Sequence, residues 1–406
     1  MSQNIVIIGG GAGGIATAAS LLKRNASINI SLIEPQSEHY YQPGWTMVGG
    51  GIFKQAETAR PTQSLIPSGV KWIQASVSSF QPEQNQVTLD NGDTLSYDAL
   101  VVSPGLQLDW AKVAGLEETL GKNGVTSNYR YDLAPYTWEL VQNLKSGTAL
   151  FTQPPMPIKC AGAPQKAMYL SASHWTQNGS INNIDISFYN AGPALFGVAD
   201  YIPALMEYVK KYNADLQFNH NLIAVDGDKK IATFAGKDAD GNDVTVEREF
   251  DMLHVCPPQS APDFIKASPL ANEAGWLDVN QGSLQHSQHK NIFGLGDCTT
   301  TPNAKTAAAV RQQAPIVAEN VLRLLNGSAL LDNYGGYGAC PLTVEHGKIV
   351  LAEFSYGGKV TPTFPTCLLN GLKPTRLAWF LKAKVLPYVY FNHMLKGKEW
   401  LTKPKG

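Results

Sequence analysis

The sequence predicts an α/β protein with two Rossmann-like domains of the dinucleotide-binding type, followed by an amphipathic C-terminal segment. Three observations carry this. Apolar strands and helical stretches alternate in the order that parallel sheets require. The first strand runs into a run of glycines that opens a helix. A second strand–helix–strand unit begins near Ala149. In order, residues 5–8 read as a buried strand, 13–22 as a helix and 28–33 as the next strand. Segments 87–89 and 94–97 flank Asp90-Asn91-Gly92-Asp93, a hairpin turn signal. The strand at 100–102 ends at Ser103-Pro104-Gly105. Helix 164–177, strand 184–189 and helix 198–212 build the second unit, with a hairpin at Asp240-Gly241. The chain then returns to a short strand at 291–295. These elements divide it into a discontinuous first domain (1–115 and 285–330), a second domain (116–284) and a segment over 331–406, read as turns followed by an amphipathic basic end.

Composition narrows the function. The chain has 406 residues with 32 Lys and Arg against 33 Asp and Glu, so the net charge of -1 excludes a nucleic-acid binder working by counterion release. Charged residues are only 16% of the total, below the usual ~25%, which suits a surface that meets something less polar than water. No run of 18 uninterrupted apolar residues occurs, so no spanning helix is expected. Met1-Ser2-Gln3-Asn4 lacks the basic start of a signal or transit segment. From Lys373 onward eight basic residues meet one acid, Glu399.

The loop Gly9-Gly10-Gly11-Ala12-Gly13-Gly14 carries the dinucleotide fingerprint on Gly9, Gly11 and Gly14, with a strand before it, a helix after it and Glu34 some 20 residues on. Glycines admit a pyrophosphate to the backbone, the helix N-terminus offers N–H groups, and Glu34 can accept from a ribose hydroxyl. The segment Phe293-Gly294-Leu295-Gly296-Asp297-Cys298 resembles the second FAD motif of flavoproteins with two dinucleotide domains. It implies that Asp297 binds the ribityl chain. The helix over 306–325 then points its positive end at the flavin, with Lys305 adding charge. The second unit has no matching loop: in Asn190-Ala191-Gly192-Pro193-Ala194-Leu195 only Gly192 fits, and Pro193 removes an N–H. The electron donor is therefore expected to be something other than NADH.

Five cysteines contain no C-x-x-C pair, so neither a zinc site nor a thioredoxin-type disulfide is expected. Cys160, in Lys159-Cys160-Ala161-Gly162-Ala163-Pro164, stands at a helix start, where Lys159 and the helix N-terminus should lower its pKa. Cys340 lies in a turn, and Cys256, Cys298 and Cys367 read as ordinary packed thiols.

With these motifs in place the chain resembles the sulfide:quinone oxidoreductases, most closely the branch that includes the mitochondrial enzyme. The matching stretches are His39-Tyr40-Tyr41-Gln42-Pro43-Gly44-Trp45, residues 157–170, 294–299 and 305–310, and Cys340-Pro341-Leu342. The resemblance implies that Cys160 and Cys340 are the redox pair. It also implies FAD contacts at Gln42 and Val77, besides Gly9, Gly11, Ala12, Gly13, Gly14, Glu34, Gly105, Asp297 and Lys305. The implied reaction oxidises hydrogen sulfide to sulfane sulfur. Cys340 is persulfidated and Cys160 freed as a thiolate. The sulfur leaves on polysulfide, a small thiol or sulfite, and the electrons reach a membrane quinone. The apolar and basic residues from Leu377 to Lys398 then read as an interfacial helix pair. Trp379, Phe380, Val385, Leu386, Tyr388, Val389 and Phe391 form its apolar surface, with the lysines at headgroup level. The expected location is the face of a bacterial cytoplasmic membrane. Two rivals stay open: a type II NADH:quinone oxidoreductase, and a flavin-bearing sensor or partner subunit without quinone turnover. The oligomeric state is open as well.

Overall fold

The computed structural model describes residues 3–238 and 240–404, so Lys405 of the basic end lies outside the described residues. Five parallel strands pair in the order Ile292–Gly294, Ala99–Val102, Asn4–Ile8, Asn29–Ile33 and Val70–Ile73. Their near-continuous apolar sequence follows from burial on both faces. Ile5, Ile7, Ala99 and Val101 pack against helices α1 (Ala12–Arg24) and, from the far end of the chain, Ala307–Leu325. Val6, Ile8, Leu100 and Val102 pack instead on Val77, Phe80, Val87 and Leu89, which belong to the three-stranded antiparallel layer containing the expected hairpin.

The second domain repeats the plan. Strands Val125–Thr126, Met252–His254, Gly147–Gln153, Ile184–Asn190 and Asp215–Phe218 form a parallel sheet in that order. Helix α2 (Ala163–Asn178) lies on it, with Trp175, Tyr169 and Met168 fully buried. The helix Ala307–Leu325 is α3 below.

The segment over 331–406 holds more regular structure than its turn-rich sequence suggests. Strands Gly338–Glu345 and Lys348–Phe354 form an antiparallel hairpin. Its Cys340, Leu342, Val344, Val350 and Ala352 complete the second domain's core beside Phe151 and Met168. Alternation was masked there by Pro341 and by the Gly-rich approach. Further on, Arg376–Phe380, a π-helical turn Leu381–Val385 and Leu386–Asn392 form one irregular helical run. Tyr390, Met394 and Leu395 enter the first domain's core. Only a small cluster of Ile349, Leu351, Leu369 and Ala378 is the segment's own.

The expected membrane surface is thus corrected in part. Phe380 and Tyr388 are exposed, joined by Leu377. Trp379, Val385, Leu386, Val389 and Phe391 are half-buried. Among the described residues no helix is long and apolar enough to cross a membrane.

Candidate active site

Parallel strands end on one edge, so the loops that follow them converge. Gly9, Glu34, Ser103-Pro104-Gly105 and Gly296-Asp297 all leave the first sheet at its carboxyl edge. Gly9 has φ +95°, and a Cβ there would meet Ser103 O at 2.4 Å. A Cβ on Gly14 would lie 1.8 Å from Gly9 O, so only glycine lets α1 start this close to the strand. Gly11 differs: an added Cβ meets nothing within 4 Å. That open space at the N-terminus of α1, with Ala12 and Gly13 in its first turn, fits a dinucleotide pyrophosphate. Glu34 accepts from Gly10 N at 2.7 Å and from Gln36 N at 2.8 Å, which orients its carboxylate beside the loop. Gly105, at φ +79°, is likewise open. Val77 buries its side chain in the core, leaving only its backbone to meet a ligand.

At the other end, burial holds the Asp297 carboxyl above the usual carboxylate range, against the pull of the Lys305 and Lys159 charges. Thr306 caps α3 by accepting from Ala309 N. Lys305 departs from expectation. Its ammonium turns back to donate to Asp297 O (2.7 Å) and Thr299 O (2.9 Å) and lies over the Trp276 ring. Its charge clamps the Asp297 turn instead of projecting from the helix start. The second domain's loop is filled by its own chain: Asn190 accepts from Gly192 N and donates to Ala194 O, both at 2.9 Å.

The two cysteines brought together by the fold are Cys160 and Cys340, with sulfur atoms 3.8 Å apart. Cys160 sits in a left-handed backbone conformation (φ +50°), and its N–H donates to Lys305 O at 2.8 Å. This ties the thiol's loop to the start of α3. Hydrogen bonding from the Cys340 thiol and then the Lys166 ammonium, overcoming burial, hold Cys160 well below the usual thiol range. The same hydrogen bond, burial and the Cys160 charge push Cys340 well above it. The negative charge of the pair therefore rests on Cys160.

The cation beside it is not Lys159. Lys159 donates to Gln42 Oε1 at 2.7 Å and lies over the Trp45 and Tyr129 rings, so Gln42 joins the cysteine loop to the first domain. Lys166, on α2, places Nζ 3.0 Å from Cys160 Sγ and is itself buried. A second lysine comes from the tail: Lys382, expected among lipid headgroups, is buried, with Nζ 2.8 Å from Pro43 O. Burial and then Lys166 push it down to about 7. Composition could not separate it from its exposed neighbours Lys384 and Lys396. Cys256 and Cys298 are buried, and burial pushes both thiols up to about 12, as suits inert packing groups. Cys367 is exposed.

The tail also reaches the glycine loop. His39 bonds Gly10 O through Nδ1 (3.1 Å) and the Tyr390 hydroxyl through Nε2 (2.8 Å). Burial lowers the pKa of the imidazole.

A glycine cradle on one parallel sheet, a second sheet of the same plan and a dithiol between them define a flavoprotein disulfide-oxidoreductase class. The family model for pyridine nucleotide-disulphide oxidoreductases matches residues 3–314. The chain is 42% identical over 402 residues to the mitochondrial sulfide:quinone oxidoreductase of Dictyostelium discoideum, covering 98% of this chain and 87% of that one. To the mitochondrial sulfide:quinone oxidoreductase of Mus musculus it is 40% identical over 393 residues, covering 97% and 86%. The solved sulfide:quinone oxidoreductase of Aquifex aeolicus shares the fold at a TM-score of 0.75 and 21% identity, covering 96% of this chain and 92% of that one. Within the wider class the chain belongs to the sulfide:quinone oxidoreductases.

Proposed function

We propose that the protein oxidises sulfide to sulfane sulfur at Cys160 and Cys340 and delivers the electron pair to a membrane quinone. The observation that carries the assignment of residues is the thiol pair at 3.8 Å with Lys166 at 3.0 Å from one sulfur only. In thiol–disulfide exchange the sulfur of lower pKa is the better leaving group. Hydrosulfide attacking the oxidised pair on the Cys340 side forms Cys340–S–SH and releases Cys160 as a thiolate. One bond forms and one breaks, with the charge passing to the sulfur beside Lys166. A small thiol RSH then removes the outer sulfur, and the net reaction H2S + RSH + quinone → RSSH + quinol balances. Sulfite as acceptor gives thiosulfate in the same balance.

FAD, when bound, supplies the two-electron carrier between this dithiol and the quinone. Gly9, Gly11, Ala12, Gly13 and Gly14 would hold its pyrophosphate, and Glu34 a ribose. Asp297 and the N-terminus of α3 would meet the flavin end, and Gln42, Val77 and Gly105 line the approach. Lys305 would keep the Asp297 turn in shape, and Lys166 and Lys382 would hold negative charge on sulfur. The exposed Leu377, Phe380 and Tyr388, flanked by exposed Lys384 and Lys396, support peripheral binding to a membrane surface from which a lipid quinone is drawn.

The test is anaerobic, sulfide-dependent quinone reduction with several acceptors in wild type, Cys160→Ser and Cys340→Ser. Each substitution should abolish turnover with FAD retained, while Cys256→Ser, Cys298→Ser and Cys367→Ser stay active. Full activity in either of the first two refutes the two-cysteine scheme, and flavin bleaching by NADH in place of sulfide would favour the NADH:quinone alternative.

A further inference from the structure

At the opposite end of α1 from the glycine loop, about 20 Å away by helix rise, lies a cavity of about 660 Å³. The sulfide reaction makes no use of it. Its volume is that of a small-molecule site. Five cations line it, Lys23, Arg24, Arg323, Lys398 and Lys403, against two carboxylates. The carboxylates are already engaged. Arg24 holds Glu399 through both oxygens and Glu319 at 3.1 Å, and Arg323 holds Glu319 at 2.9 Å. These four side chains form a neutral frame joining α1, α3 and the tail. Lys23, Lys398 and Lys403 remain. Among the described residues none of them has a carboxylate within ion-pair distance. Lys23 donates to Gly397 O at 3.2 Å, and its charge also reaches the Glu399 carboxylate.

Five cations against two carboxylates leave an excess of three positive charges around one cavity, which calls for a polyvalent or phosphate-bearing anion. The rim says which. Trp400 lines the cavity, and it and its neighbour Leu401 are more than half exposed. An indole and an aliphatic side chain on a cationic edge are the groups that settle at a membrane interface. We propose that this cavity is a binding site for the phosphate headgroup of an anionic phospholipid. Lys23, Lys398 and Lys403 hold the phosphate, and Trp400 lies against the glycerol and upper acyl chain. The site rests on the peripheral-membrane reading above. It adds a defined headgroup pocket to that reading, which otherwise rests on exposed apolar residues and separate surface lysines.

The experiment uses the full-length, FAD-loaded protein and two separate readouts. Short-chain dihexanoylphosphatidylglycerol, kept below its micelle concentration, is titrated by calorimetry, with dihexanoylphosphatidylcholine and inorganic phosphate as comparisons. Sedimentation with phosphatidylcholine vesicles, with and without one-fifth phosphatidylglycerol, is the second. Wild type should bind the glycerol lipid at least tenfold more tightly than either comparison. The K23Q/K398Q/K403Q variant should lose at least tenfold of that affinity and its preference for anionic vesicles, while sulfide still reduces its flavin at the wild-type rate. Equal affinity in wild type and variant overturns the site, as does inorganic phosphate binding as tightly as the lipid. If short-chain lipid binds as expected but the protein ignores every vesicle, the membrane reading falls and the headgroup site stands. If vesicles bind and the short-chain lipid does not, the reverse holds.

Discussion

Replacing Lys166 by methionine tests the electrostatic core of the site. Methionine keeps most of the buried volume and removes the charge 3.0 Å from Cys160 Sγ. Two unit charges at that distance, at an effective dielectric constant of about 20, attract by roughly 5 kcal/mol. That is an upper bound, because Lys382 also acts on the pair and water can enter beside the sulfur. Allowing about half the energy to be made up in these ways, the loss corresponds to a rise of about 2 pH units in the thiolate's apparent pKa. The two thiols titrate as a pair, so the value read is macroscopic. The assay is the pH profile of iodoacetamide labelling of the reduced holoenzyme, with Cys160 followed by mass spectrometry. The midpoint should move upward by about 2 pH units, and the acid limb of the sulfide turnover profile should move with it, because turnover follows the thiolate fraction. A midpoint unchanged within half a unit would show that Lys166 does not hold the charge on Cys160, and the choice of leaving sulfur would fall with it.

Three other outcomes follow from the geometry. Gly11→Val should purify without FAD but melt near the wild-type apoprotein, because its Cβ meets nothing within 4 Å. Gly14→Ala should lose several kcal/mol of stability, because its Cβ has no space beside Gly9 O; flavin absorbance and thermal melting separate the two, and a fully yellow Gly11→Val refutes the cradle. Lys382 has a folded pKa of about 7, below its ordinary 10.5. The unfolded chain therefore binds the proton more tightly, and burying this lysine destabilises fully below pH 7 and progressively less up to pH 10.5. Lys382→Met should accordingly be more stable by at most about 5 kcal/mol at pH 6, the gain shrinking toward pH 10 in urea unfolding; a gain that does not vary with pH counts against the buried charge. Phe380→Ser with Tyr388→Ser should leave melting within about 2 °C of wild type, since both are surface positions. It should weaken vesicle binding about tenfold and slow reduction of a long-tailed quinone but not of the flavin, and unchanged sedimentation would refute the surface. Truncation after Pro374 cannot make this test, because it also removes Tyr390, Met394 and Leu395 from the first domain's core.

The legible parts of this molecule were those written in local spacing. The glycine loop, Glu34, the Gly296-Asp297 turn and the Cys160 loop each announce themselves within a few residues, and each takes its place on the fold. What stayed hidden depends on contacts between distant segments. Lys166 looks like any polar residue on a helix until the Cys160 loop folds back over it. Lys382 and Lys384 are two residues apart and alike in sequence, yet one is buried beside the dithiol and the other is exposed. Tail packing is hidden for the same reason: Val389 and Phe391, expected at the surface, are half-buried, and only contacts with distant segments decide how far each turns inward.

The bond from His39 to Tyr390 spans 351 positions of sequence, and through Gly10 it ends on the cofactor loop. During synthesis the first sheet lacks its fifth strand until residue 294 emerges, and the carbonyl of Gly10 lacks its brace until residue 390 does. At about 5–20 residues per second, the first domain waits tens of seconds between making its glycine loop and closing it. The nascent chain therefore carries an open nucleotide cleft for most of its time on the ribosome. The brace on the glycine loop is therefore among the last contacts the chain can make, and it forms only as synthesis ends.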